Sequence, residues 1–284
     1  MTNLNTRGRV KREASKKGIS LFIGLLAFIM LGAGTFYWLQ RPAASEDPTA
    51  ITYETMKTSL RPMATSLNII GLGDSLTAGV GDPNDLGYAG MTVQQLQQSD
   101  TTSGVHFKDY GVKGDTTLDL LNVLKKEKVE QSIKSADLIF MTIGGNDLVG
   151  VIKENFLHLS KKDFDKRRQV FEQNFNEILR IIHELNPKAT IYYLGLYNPF
   201  EDLLPGLDAQ FTLILSEWNQ SSERILEKYP HTVFIPTADL FQNHTDEWLY
   251  DDHFHPNKEG YAQMSKRLLE YVTEGRPAPQ YTKK

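Results

Sequence analysis

The sequence predicts an α/β domain, with a parallel sheet covered by helices on both faces. Three observations predict it. Short apolar runs of strand length recur between residues 67 and 273. Longer stretches between them repeat apolar residues at helical spacing, and strand–helix alternation of this rhythm builds parallel sheets. The polar, glycine-bearing segments follow directly on the apolar runs, and open parallel sheets bind their ligands beyond the carboxyl ends of the strands.

The strand candidates, in order, are Leu67–Leu72, a weaker one at Val105–Tyr110, Asp137–Ile143, Thr190–Gly195 and Thr232–Ile235. Asp137–Ile143 reads as a strand buried in the sheet. Helical spacing is carried by Phe171, Phe175, Ile178 and Ile182, and later by Tyr261, Met264, Leu268 and Tyr271. The stretches Val151–Phe164 and Phe200–Leu215 follow strand ends and are placed to roof a cleft. There Phe200, Leu203, Leu204, Leu207 and Phe211 read either as lining for an acyl pocket or as ordinary core at helical spacing.

Upstream of the domain, residues 19–39 are uncharged and almost wholly apolar. A helix of that length spans about 31 Å, the thickness of a bilayer core. Tyr37 and Trp38 stand at its far end, where aromatic rings favour the interface, and Arg7, Arg9, Lys11, Arg12, Lys16 and Lys17 precede it. By the positive-inside rule residues 1–18 stay cytoplasmic and the rest is exported. A cleaved signal peptide is the competing reading. The run exceeds a usual signal core, however, and Arg41-Pro42-Ala43-Ala44-Ser45 is a poor cleavage site. The expectation is a transmembrane signal-anchor helix over 19–39, a linker or stalk over 40–66, the domain over 67–273 and a flexible tail over 274–284.

Composition excludes several classes. The chain has 284 residues and no cysteine, so disulfides, thiolate metal sites and a lipoprotein anchor are ruled out. Beyond residue 41, 24 basic face 34 acidic groups, which argues against nucleic acid as a partner.

Four segments carry candidate chemistry. After the first strand comes Gly71-Leu72-Gly73-Asp74-Ser75-Leu76-Thr77-Ala78-Gly79. A serine that opens a turn into a helix can present its hydroxyl in a cleft and aim its own N–H at an anion. The bland alternative is a helix cap. A dinucleotide loop lacks its third glycine, because position 76 is Leu76, and no Gly-Lys-Ser/Thr exists for a phosphate loop. After the second strand comes Lys113-Gly114-Asp115-Thr116-Thr117, where a glycine lets backbone N–H approach a substrate, or merely makes a turn. After the third comes Ile143-Gly144-Gly145-Asn146-Asp147, where Asn146 offers an amide donor at the sheet edge. The last is Tyr250-Asp251-Asp252-His253-Phe254-His255-Pro256. Pro256 suits the first turn of a helix, which fixes His255 at the junction with Asp252 three residues before it. An imidazole needs such a partner to hold its tautomer and stabilise its charged form. A metal reading of His244, Asp251, Asp252, His253 and His255 has no helix-spaced ligand pair behind it. Together the four segments supply nucleophile, oxyanion donors, base and orienting acid, the parts that acyl transfer requires.

In this order and spacing the segments resemble the blocks of the GDSL/SGNH hydrolase family. Gly73-Asp74-Ser75-Leu76 resembles the first, Gly114 the second, Gly144-Gly145-Asn146-Asp147 the third, and Asp252-His253-Phe254-His255-Pro256 the D-x-x-H-P block. Gly114-Asp115-Thr116 is typical of the branch that holds bacterial thioesterase/lysophospholipase enzymes. The resemblance implies a flavodoxin-like three-layer α/β/α sandwich with a five-stranded parallel sheet. It implies Ser75 as nucleophile, His255 as base, Asp252 as its support, and an oxyanion hole of Ser75, Gly114 and Asn146, with no cofactor and no metal. The resemblance implies carboxylic esters as substrates without fixing which; a site tethered on the outer side of the membrane suits a lipid ester (lysophospholipid included) and an acylated envelope glycan equally. An acyltransferase on the same triad, a non-catalytic envelope-binding module and a metal-dependent phosphodiesterase are the alternatives. The bulk of His253-Phe254 and the doubled Asp251-Asp252 depart from the family pattern.

Overall fold

A computed structural model describes residues 66–99, 104–154, 158, 160–201 and 208–274. The expected anchor over 19–39, its basic flank, the linker up to residue 65 and the tail from residue 275 lie outside the described residues. Among the described residues no helix is long and apolar enough to cross a membrane.

Five strands form one sheet: β1 (Leu67–Gly73), β2 (Val105–Gly111), β3 (Leu138–Thr142), β4 (Thr190–Leu194) and β5 (Thr232–Ile235). Their order is β2-β1-β3-β4-β5 and every neighbouring pair is parallel. This is the flavodoxin-like order, whose direction of winding reverses between β1 and β3. Right-handed crossovers then send the connections on the two sides of that reversal to opposite faces.

One face carries α1 (Gly87–Gln97), the short helices α7 (Ala238–Phe241) and α8 (Thr245–Trp248), and α9 (Lys258–Glu274). The other carries α2 (Thr117–Leu124), α3 (Glu127–Ser135), α4 (Gly145–Glu154), α5 (Lys161–Leu185) and α6 (Asp208–Leu226). Strand residues serve the two cores alternately. Leu138 and Phe140 pack under α1 and α9, whereas Ile139 and Met141 pack under the larger helical layer. Both faces are buried, so β3 reads as a continuous apolar run. β2 is an edge strand, and the partly exposed side chains of Val105–Gly111 explain its weak pattern in sequence.

Register places the functional end. Gly73 pairs with Gly111 of β2 and with Thr142 of β3. The first three strands therefore end level, and the segments carrying Ser75, Gly114 and Asn146 leave the sheet side by side at the winding reversal.

Two local expectations are corrected. Ser75 does not stand at the N-terminus of a helix. Residues 75–81 are successive turns and α1 begins only at Gly87. Asp82 explains the delay, because its carboxylate accepts the N–H groups of Asn84, Leu86 and Gly87 and turns the chain before the helix can start. Pro256 lies outside α9, in an antiparallel bridge with Leu249. Asn257 starts that helix instead, its side-chain oxygen accepting the N–H groups of Glu259 and Gly260.

Candidate active site

Ser75 leaves β1 through Gly73, whose backbone has φ +138. A Cβ built there would lie 1.8 Å from the carbonyl oxygen of Thr142, so only glycine lets β1 run this close to β3. The Asp74 N–H donates to that same carbonyl at 3.0 Å. The Leu76 N–H donates to Asp74 Oδ1 at 3.1 Å, which closes a tight turn around Ser75.

The base arrives from the other end of the chain. His255 Nε2 is 2.9 Å from Ser75 Oγ, and His255 Nδ1 is 2.6 Å from Asp252 Oδ2. The other Asp252 oxygen accepts the N–H groups of Phe254 and His255 at 3.0 and 2.9 Å. The network assigns the Nδ1 proton to the Asp252 bond, which leaves Nε2 to accept from the serine hydroxyl. Burial raises the Asp252 pKa, but the bond from His255, its charge and the two backbone donors outweigh it and hold the carboxyl below the usual range. Of the doubled aspartates, Asp251 is exposed and Asp252 holds the imidazole. A second brace comes from Tyr197, beyond β4. Its hydroxyl donates to the Phe254 carbonyl at 2.6 Å while its ring stacks on Phe241 at 3.9 Å.

Beside the triad stand α4 and the segment before α2. Asn146 sits in the first turn of α4, and its Nδ2 donates to the Asp115 carbonyl at 2.9 Å. One amide hydrogen thus ties it to the residue after Gly114, and the second remains for a substrate oxygen. Gly114 has φ +90, and a Cβ there would meet open space, so the glycine answers to backbone conformation and not to crowding. Among the described residues the N–H groups of Ser75 and Gly114 donate to no backbone carbonyl. Thr116 caps α2 through a reciprocal bond pair with Asp119.

A cleft opens beside these groups, with Ser75 and Asn146 in its wall. The rest is mostly hydrocarbon: Leu148, Val149, Leu196, Phe200, Phe211, Leu215 and Phe254. Phe200 and Phe211 therefore line the cleft and also belong to the core, while Leu203, Leu204 and Leu207 lie outside the described residues. The Phe254 ring stands edge-on to the His255 ring, 5.1 Å between centroids at 84°.

The histidines and aspartates weighed as metal ligands do not converge. His244 stacks on Trp248 and faces Glu247, His253 is exposed, and His255 is engaged with Asp252 and Ser75. No group of three His, Cys, Asp or Glu side chains is arranged for a metal ion among the described residues. Sequence reasoning assigned no role to Thr77, although it quoted that residue, and it missed Thr142 and Tyr88, which bond in series with Thr77 behind Asp74, as well as Tyr197. Asp74 and Asp147 lay inside quoted motifs, but only the fold shows what they hold.

A hydroxyl, an imidazole and a carboxylate stand in series at the winding reversal of a parallel sheet, an arrangement suited to ester hydrolysis. The sequence agrees, for residues 72–263 match the GDSL-like Lipase/Acylhydrolase family. The chain belongs to that family. YpmR of Bacillus subtilis is 38% identical over 212 residues, 74% of this chain and 83% of that protein. The spore germination lipase LipC of Bacillus licheniformis is 28% identical over 214 residues, 72% of this chain and 95% of that protein. Among solved structures, the lipase Lip_vut3 from a goat rumen metagenome superposes with a TM-score of 0.64 at 26% identity, covering 71% of this chain and 95% of that one.

Proposed function

We propose that this protein is a serine esterase that cleaves carboxylic esters of hydrocarbon acyl groups through an acyl-enzyme on Ser75. The observation that carries the reading is the unbroken series Ser75 Oγ, His255 and Asp252. His255 takes the hydroxyl proton as Ser75 Oγ attacks the ester carbonyl, and Asp252 stabilises the imidazolium that forms. Negative charge on the carbonyl oxygen is met by the N–H groups of Ser75 and Gly114 and by the free Asn146 amide hydrogen. His255 returns the proton to the leaving alcohol and then activates the water that releases the acid.

The hydrocarbon wall of the cleft supports a lipid ester over an acetylated envelope glycan, since acetyl leaves such a wall unused. LipC and Lip_vut3, both described as lipases, support the same direction. A monoacyl substrate of the lysophospholipid kind fits the Gly114-Asp115-Thr116 signature. We place the domain on the outer side of the membrane, anchored by residues 19–39, on the strength of that apolar run and its basic flank.

The test is a fluorophosphonate serine probe on wild type and Ser75→Ala, followed by a panel of acetyl, medium-chain and long-chain esters, a lysophospholipid and an acetylated glycan. Labelling of wild type alone is expected, with turnover highest on a hydrocarbon acyl ester. Equal labelling of Ser75→Ala would overturn the nucleophile, and turnover confined to the glycan would overturn the substrate. Residues 19–39 are tested by membrane fractionation with and without them.

A further inference from the structure

Behind the nucleophile runs a buried line of hydroxyl groups that the mechanism above does not use. Tyr88 OH, from α1, is 3.0 Å from Thr77 Oγ1. Thr77 Oγ1 is 2.7 Å from Thr142 Oγ1, and Thr142 Oγ1 donates to Asp74 Oδ1 at 2.9 Å. All four side chains are buried. Each hydroxyl has one proton, so the direction is determined. Thr142 spends its proton on Asp74, so the 2.7 Å contact needs the Thr77 proton, which also has the Leu72 carbonyl within reach at 3.3 Å, and Tyr88 donates to Thr77. Oδ1 also accepts the Leu76 N–H. Every donor thus points toward the carboxylate, as an ionised acceptor requires, and donors in series polarise one another.

We propose that Asp74 is a positioning residue that must be ionised for Ser75 to react, and that the Tyr88–Thr77–Thr142 chain keeps it so. The role rests on the esterase reading of Ser75. As an anion Asp74 holds the Leu76 N–H and with it the turn that presents the serine hydroxyl. His255 in turn favours that charge. Protonation weakens both bonds at Oδ1 and removes that charge.

The groups that act on Asp74 come from every side. His255, from the segment before α9, favours its charge and Asp147 of α4 opposes it. Tyr88 of α1, Tyr193 of β4, Tyr197 beyond β4 and Tyr261 of α9 all feel its charge, and burial pushes their own pKa values up, so they stay neutral. Burial dominates at Asp74 itself, and the bonds from Leu76 and Thr142 draw it back only as far as about 6.

The test is the acid limb of kcat/KM for p-nitrophenyl butyrate in wild type, Asp74→Asn and Tyr88→Phe. Circular dichroism at each pH identifies the range in which the fold persists. If both His255 and Asp74 must lose a proton, log kcat/KM falls with a slope that approaches two. Asp74→Asn is expected to show a slope of one with a lower plateau. Tyr88→Phe removes the far end of the chain without touching the site, and should move the steep segment up by about half a pH unit or more. A wild-type slope of one throughout, or a Tyr88→Phe profile that superimposes on wild type, would overturn the role of Asp74 while labelling of Ser75 leaves the esterase reading in place. No labelling and no turnover in wild type would remove that reading, and this role with it.

Discussion

Asp147 and Thr117 are bonded twice: one carboxylate oxygen accepts the Thr117 N–H at 2.8 Å and the other accepts its hydroxyl at 2.6 Å, both in the interior. Asn174 of α5 donates to the same hydroxyl at 3.1 Å. Asp147 follows Asn146 in α4, and Thr117 opens α2 three residues after Gly114. The segments that carry the proposed oxyanion donors are therefore clamped together close to those donors. Thr117→Val keeps the shape and removes the hydroxyl from a buried carboxylate, which should cost about 1–3 kcal/mol. Denaturant unfolding should show that loss, and kinetics on an ester should show a lower kcat with KM nearly unchanged. A variant with normal kcat would mean that the clamp serves stability alone.

Asn146→Ala removes one oxyanion donor and the tie to Asp115. Its kcat should fall by roughly 10²–10³. Single-turnover measurements should place the loss in acylation, and an unchanged acylation rate would take Asn146 out of the oxyanion hole.

Gly73→Ala should not give a folded enzyme. The added carbon meets the Thr142 carbonyl at 1.8 Å, and backbone cannot yield as a side-chain tip does. The expected cost exceeds about 4 kcal/mol, in the range reserved for such defects. A thermal melt close to that of wild type would contradict the register of β1 against β3.

Asp74 makes stability depend on pH in an unusual direction. Burial raises its folded pKa from 3.8 to about 6, so the native state holds the proton more tightly than the unfolded chain. The stability this group confers is complete below the unfolded value and is lost as pH rises through the folded one. The loss is roughly 3 kcal/mol, at about 1.4 kcal/mol per unit. Asparagine cannot lose a proton. Relative to wild type, Asp74→Asn should thus gain about that much stability between about pH 4 and 7 in urea titrations. A constant difference across this range would show that the carboxyl does not titrate there.

Phe254 stands both in the hydrocarbon wall and against the base, so its removal should be felt in acyl-chain selection. A buried methylene contributes about 0.8 kcal/mol, close to fourfold in kcat/KM. Wild type should gain toward that factor per carbon from acetyl upward, until the cleft is full. Phe254→Ala should flatten the series, and an unaltered series would place the acyl chain elsewhere.

The sequence displayed the sheet and the strand ends because chemistry and hydropathy coincide there. Leu138–Met141 is apolar throughout, and glycine and polar residues follow Ile143 at once. The pairing of Ser75 with His255 was readable only as two motifs in order, since nothing local joins residues 180 apart. The turns after Ser75 were misread as a helix start because the three backbone bonds that Asp82 collects have no pattern in sequence. Tyr197 and Tyr88 gave no signal at all. Each is a tyrosine among apolar neighbours, and its hydroxyl gains meaning only from the carbonyl or threonine opposite it. Residues 203, 204 and 207, weighed as cleft lining, lie outside the described residues.

The distance along the chain between Ser75 and His255 also sets an order of events. Ser75 is among the first residues of the domain to leave the ribosome, and the imidazole is among the last, on a segment braced by Tyr197 and followed directly by α9. A chain still being made carries an ordinary serine hydroxyl with no base beside it. On the proposed mechanism, reactivity is therefore switched on by completion of the polypeptide, and a product cut short before residue 255 lacks the base that Ser75 needs.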